Sequence, residues 1–321
     1  MEKTKVILDV DTGTDDAIAI MTAVMSENLE VLGVCAVNGN RGIDFTTENT
    51  LRVVEYLGKD IPVFRGCSLP MVVSLTEGRR EDIPYKGPKD PQDNVHGDYI
   101  DLPPATIQEQ PVSAVRWLVD TLMASEGDIT LIPVGPLTNI AMALRIEPRI
   151  AQKIKRIVIM GGGCREVNIT PTAEFNFWID PEAAKIVFDC GCDILVVPLD
   201  ATHAAAVSIR TAEALERKGT KPATLTARII RQRQNAYKHW QPMADINSVP
   251  VHDALAVCAV LDESVLGPVV ETYADVDIGK GAADGMSIFD LDNRYKDRKK
   301  NVKVALGADP ERFADMLLNI L

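Results

Sequence analysis

The run Lys5-Val6-Ile7-Leu8-Asp9-Val10-Asp11-Thr12-Gly13-Thr14-Asp15-Asp16-Ala17 decides how this chain is read. Val6, Ile7 and Leu8 are a short apolar strand, and four carboxylates follow within eight residues: Asp9, Asp11, Asp15 and Asp16. Ala17-Ile18-Ala19-Ile20-Met21 then continues as a helix, so the local reading is strand, tight turn, helix. Carboxylates this close repel one another, which costs stability unless a cation neutralises them. Their oxygens are hard donors, so the ion expected is Ca²⁺ or Mg²⁺ rather than Zn²⁺. Two-residue spacing places Asp9 and Asp11 on one side of a strand. Asp15 or Asp16 is expected to cap the helix that follows.

Outward from this stretch, strands and helices alternate. Leu29 to Val37 is a strand ending at Asn38-Gly39-Asn40, and Phe45 to Leu57 is a helix. Further strands are expected at Ile61–Phe64, Ile129–Pro133, Ile154–Met160, Ile194–Pro198 and Val302–Leu306. Pro136 suits the first position of a helix over Leu137–Leu144, and Pro181 opens another. Strands apolar on both faces, separated by helices, imply a mostly parallel central sheet with helices on both faces, an α/β fold of the open, Rossmann-like type. Near the C-terminus, Val269–Ile278 and Met286–Leu291 read as a small antiparallel pair joined by a Gly-rich turn. Leu69–Pro111 lacks periodicity and reads as an active-site flap. Arg210–Tyr237 is helical and polar, and is expected to be exposed. No repeat or linker interrupts residues 1–321, which are expected to form a single domain.

A formal charge of −12 disfavours nucleic acid as a partner. The six cysteines lie scattered in apolar context, as free thiols in a reducing compartment do. No stretch approaches the roughly 20 apolar residues that span a bilayer. A cytoplasmic protein without membrane contact is expected.

Ligands of open α/β sheets bind outside the carboxyl ends of the strands. Those ends here carry the four aspartates, then Asn38 and Asn40, then Val134-Gly135, then Gly161-Gly162-Gly163 with Asn168, Glu174 and Asn176, then Asp200 and His203. His252-Asp253 stands at another element boundary. There is no G-x-G-x-x-G after the first strand and no Walker lysine, which disfavours dinucleotides and ATP. Carboxylates, carboxamides and a hard cation suit a neutral polyol. They also suit hydrolysis of a glycosidic bond, in which an aspartate deprotonates a water of lowered pKa.

Asp9-Val10-Asp11-Thr12-Gly13-Thr14-Asp15-Asp16-Ala17 resembles the D-x-D-x-G-x-D-D-A signature of the inosine-uridine nucleoside hydrolases. Val37–Asn40, Pro133–Ala141, Met160–Gly163, Ala173–Asn176, Asp180–Ala184 and Val251–Asp253 resemble further segments of that family, in the same order along the chain. The resemblance implies hydrolysis of ribonucleosides to ribose and free base, as a homodimer or homotetramer. It implies Ca²⁺ held by Asp11, Asp16, the Val134 carbonyl and Asp253, with Asp11 activating the bound water. Asp15, Asn40, Asn168, Glu174 and Asn176 would hold the ribose. His252 would help protonate the leaving base, with His96 of the flap, Tyr237 and Trp240 near the base. The flap reads His96-Gly97-Asp98-Tyr99-Ile100, without the second glycine often found in the family.

Two other readings fit the opening stretch. One is a haloacid-dehalogenase-type phosphatase, with Asp9 as nucleophile, Asp11 as acid/base and Mg²⁺ as cofactor. The other is a nucleoside-binding protein without catalysis.

Overall fold

The structure, a computed structural model, describes residues 3–80, 95–240, 243 and 245–321, without the side chains of Ser74, His239 and Trp240. The first half of the chain runs β1 (Thr4–Val10), α1 (Thr14–Met25), β2 (Leu29–Ala36), α2 (Ile43–Leu57), β3 (Val63–Arg65), α3 (Ala114–Ala124), β4 (Ile129–Pro133), α4 (Thr138–Ile146) and β5 (Ile154–Met160). The second half runs α5 (Phe175–Ile179), α6 (Pro181–Phe188), β6 (Ile194–Val197), α7 (Leu199–Ala204), β7 (Val207–Ser208), α8 (Ile209–Lys218), α9 (Lys221–Trp240), β8 (Ser248–Val249), α10 (His252–Leu261), β9 (Val269–Thr272), β10 (Ala274–Val276), β11 (Ser287–Phe289), β12 (Val302–Ala305) and α11 (Pro310–Ile320).

Eight strands form one sheet in the order β3-β2-β1-β4-β5-β6-β12-β9. It is parallel except at β9, which pairs antiparallel with β12. From β1 the chain winds one way to β2 and β3, then returns past β1 to β4. The topological switch point therefore lies between β1 and β4. The register places Asp9 beside Cys35 of β2 and Pro133 of β4, so the three strands end level with one another.

Alternation along β1 divides the core. Val6, Leu8 and Val10 pack in the layer that includes Ile18 of α1, Leu51 of α2 and Leu255 of α10. Ile7 packs with Leu118 of α3, Ile140 of α4 and Val187 of α6. Fully burying side chains of this size stabilises by about 1.5–3 kcal/mol each. Helix α10 is apolar on all sides and buried from His252 to Ala259, as a helix without a polar face must be. Its first turn carries His252 and Asp253 inside with it.

Four expectations need correcting. The stretch 269–278 is not one strand: β9 closes the main sheet, and only β10 pairs with β11. Pro136 precedes its helix, which starts at Thr138 with Leu137 at the cap. The polar stretch from Arg210 is two helices, and α9 buries Arg233 and Tyr237 completely or nearly so. Asp9 and Asp11 do not share a face, because the strand stops at Val10 and its parity ends there. Of the expected flap, residues 81–94 lie outside the described part of the chain.

Candidate functional site

A cleft opens at the switch point, lined by Asp11, Asp15, Asn40, Val134, Asn168, Glu174, Asn176, His252 and Asp253. Val95, Met160, Ile169 and Phe175 supply its apolar wall, and His96, Arg41, Arg233 and Tyr237 also face it. Most residues expected at the site thus meet in one place.

The aspartates are sorted by backbone geometry. Asp16 reaches back to accept from the Gly13 N–H at 2.9 Å and the Asp11 N–H at 3.1 Å, closing the turn and capping α1. Asp11 accepts from the Asn40 N–H at 2.7 Å. Asp9 is absent from the cleft; it accepts from the Asn139 side chain on α4 at 2.8 Å. Asp15, Asp16 and Asp253 are all buried and offer ligand oxygens within 4.8 Å of one another, close enough to hold one metal ion. Asp11, expected as a ligand, stands beside Asp16. The Val134 carbonyl, also expected as a ligand, accepts from the Asn176 amide at 2.8 Å. A carbonyl oxygen has a second lone pair, so that bond does not close it to a cation.

The carboxamides are oriented by the same frame. Asn176 donates to Val134 and Met160 carbonyls, which leaves its oxygen to accept. Asn168 accepts from the Phe175 N–H at 2.9 Å, which leaves its NH₂ to donate. Glu174 caps the short helix α5, taking the N–H groups of Asn176 and Phe177, and it also accepts from Gly162 at 2.8 Å. It is a helix-end charge and a cleft residue at once. Gly161-Gly162-Gly163 serves close packing: a Cβ on Gly161 would lie 2.7 Å from the Phe177 ring.

His252 has both ring nitrogens engaged, Nδ1 with Thr202 Oγ1 at 2.7 Å and Nε2 with Tyr237 Oη at 2.8 Å. Burial, then the Arg233 charge, holds its pKa well below the ordinary value. The Thr14 N–H donates to His96 Nδ1 at 3.1 Å, which assigns the ring proton of a neutral His96 to Nε2. Burial lowers the His96 pKa to about 4. The Trp240 side chain, expected near the base, lies outside the described residues. Arg233 was not foreseen. Its signal was in the sequence: Ala223, Ala227, Ile230 and Tyr237 form an apolar stripe along α9, and Arg233 lies on it.

Burial raises the carboxyl pKa of Asp16 to about 6, of Glu174 to about 7 and of Asp9 to about 8. Asp11 and Asp253 are also raised well above the usual range, by burial first and then by neighbouring carboxylates. At Asp15 burial acts the same way, but the surrounding positive side chains, Arg233 foremost, leave its pKa lowered. An acid with a raised pKa holds its proton longer in the folded than in the unfolded chain. Stability therefore falls as pH rises from the ordinary carboxylate range towards 8. With chelator present, the melting temperature should drop by at least about 3 °C between pH 5 and pH 8. Millimolar Ca²⁺ should flatten that slope, because a cation replaces the protons. A chelated protein with a flat profile, or one indifferent to Ca²⁺, would show that the cluster needs no counter-ion.

The carboxylates and carboxamides of this open α/β sheet gather in the switch-point cleft, where ligands of such sheets bind. The family model for inosine-uridine preferring nucleoside hydrolases matches residues 6–315, and the chain belongs to that family. It is 36% identical to the pyrimidine-specific ribonucleoside hydrolase RihB of Escherichia coli K12 over 318 residues, covering 98% of this chain and 95% of that protein. Among solved structures it is similar to a purine-preferring ribonucleoside hydrolase from Gardnerella vaginalis, with a TM-score of 0.85, 28% identity, and 98% and 96% of the two chains covered. A plant nucleoside hydrolase matches with a TM-score of 0.86 and 29% identity, covering 98% of each chain. Among the described residues, no helix is long and apolar enough to cross a membrane.

Proposed function

We propose that the chain hydrolyses the N-glycosidic bond of ribonucleosides to ribose and free base, in a Ca²⁺-dependent reaction with Asp11 as general base. The observation that carries this reading is a single cleft in which Asp11, Asp15 and Asp253 adjoin Asn40, Asn168, Glu174 and Asn176. The donor set fits a hard cation: the carboxylates are buried, mutually repelling, and all oxygen. Asp11, Asp16, Asp253 and the Val134 carbonyl would hold it. When bound, such an ion supplies positive charge that lowers the pKa of a nearby water.

The chain's own groups account for the rest. Asp11 takes the proton of the attacking water. Asn168 donates to sugar hydroxyls and Asn176 accepts from them, as their fixed orientations dictate. Asp15, Asn40 and Glu174 complete the ribose contacts, and the negative charge of Asp15 favours the positive sugar of the transition state. His252 acts through Tyr237, because neither of its nitrogens is free to address the base directly. The Tyr237 hydroxyl, oriented by the neutral His252 imidazole, donates a hydrogen bond to the departing base, which takes its proton from water. His96 offers its Nε2–H from the flap side.

The phosphatase reading loses its nucleophile, since Asp9 is bound to Asn139 and does not line the cleft. The test is release of reducing sugar from inosine, adenosine, guanosine, uridine and cytidine, with and without EDTA. Ribose release that EDTA stops and Ca²⁺ restores is the expected result. Nucleoside binding by calorimetry without ribose release would instead identify a non-catalytic binding protein.

A further inference from the structure

Arg233 is 1% exposed and directs its guanidinium wholly inward. Nε donates to the Pro250 carbonyl at 3.0 Å, Nη1 to Thr14 Oγ1 at 2.9 Å, and Nη2 to the Tyr237 hydroxyl at 3.3 Å. Nη1 also lies 2.9 Å from Asp15 Oδ1. That oxygen is buried yet receives no aligned hydrogen bond. The contact therefore balances the charge of Asp15, a residue that also lines the cleft. Asp15 would otherwise be a natural third ligand, since its oxygens lie within 4.8 Å of those of Asp16 and Asp253. A fixed positive charge on one member of such a set breaks its equivalence: a cation is repelled from the Arg233 side and attracted to the other.

We propose that Arg233 is a positioning residue that reserves Asp15 for the sugar and leaves Asp16 and Asp253 to the cation. The inference rests on the ribonucleoside hydrolase reading and adds to it the residue that divides the carboxylates between two ligands. Arginine is needed because its planar fork serves Pro250, Thr14, Tyr237 and Asp15 together, which a lysine ammonium cannot do.

The test compares wild type, Arg233→Met, Arg233→Lys, Asp15→Asn and the Asp15→Asn/Arg233→Met double variant. Two quantities are measured: Ca²⁺ affinity by calorimetry without substrate, and kcat and KM for a ribonucleoside. In Arg233→Met, kcat/KM should fall about 10²-fold, mostly through KM, while in the Asp15→Asn background the same change should cost less than about 3-fold. Ca²⁺ should bind at least about 5-fold tighter to Arg233→Met than to wild type, because a nearby positive charge is gone. Opposite movements of cation affinity and sugar KM are not what a merely structural role produces. Arg233→Lys should restore weaker Ca²⁺ binding but not KM. Equal losses in both backgrounds, or unchanged Ca²⁺ affinity, would overturn the proposal. If Arg233→Met does not fold, the double variant decides by its melting temperature: recovery towards Asp15→Asn supports the pairing, and no recovery refutes it. A wild type that neither binds Ca²⁺ nor releases ribose refutes the functional reading itself, and this inference with it.

Discussion

Asp11→Asn should lower kcat by at least ~10²–10⁴-fold while leaving the fold intact. The asparagine has the same shape, and with its oxygen in the place of Asp11 Oδ2 it can still accept the Asn40 N–H, as that oxygen now does at 2.7 Å. What disappears is a negative charge and a proton acceptor, both of which the proposed reaction uses. Without a cation the wild-type group is buried, and burial first and then its neighbours Asp16 and Asp15 push its pKa up. The same replacement relieves repulsion within the cluster, so the cation-free variant should melt at or above the wild-type temperature. Steady-state kinetics with saturating Ca²⁺, beside a thermal melt in chelator, checks both parts. Near-normal kcat in Asp11→Asn would remove Asp11 as the general base.

The second large effect comes from a methyl group. Gly39→Ala should reduce kcat about 10²-fold, because displacing a reacting group by an ångström costs on that order. A Cβ on Gly39 would sit 2.1 Å from Asp11 Oδ2. The carboxylate has no room to retreat, since a Cβ on Gly135 across from it would lie 2.7 Å from Oδ1. Asp11 is thus wedged between the turns that follow β2 and β4, and glycine at both places is what lets them close on it. The variant must either swing the carboxylate or open the Asn40 contact. Kinetics together with far-UV circular dichroism tests this: a folded Gly39→Ala enzyme with wild-type kcat would show that Asp11 tolerates displacement.

Much of this was legible in the sequence for local reasons. The run from Lys5 to Ala17 carries its own strand, turn and helix signals, and the cap that Asp16 provides lies three residues from the Gly13 N–H it accepts. Apolar runs followed by polar residues marked the carboxyl ends of the strands, and the parallel alternation placed those ends at one edge. Asn168, Glu174 and Asn176 were found this way. Their exact duties were not, because Glu174's role as cap of α5 and the orientation of Asn176 depend on backbone atoms of Gly162, Val134 and Met160.

The sequence by itself determined the fold class and named many of the residues that line the cleft, since both follow from short-range periodicity and from which residues end each strand. Tertiary structure alone decided which partners each carboxylate meets. Asp9 and Asp11 look equivalent at two-residue spacing, yet the strand ends between them and sends one to Asn139 and the other to the cleft. The guanidinium that singles out Asp15 arrives from 219 positions beyond its partner Thr14, on a helix whose composition reads as solvent-facing. No local rule couples residues at that separation; only the packing of α9 against α1 does.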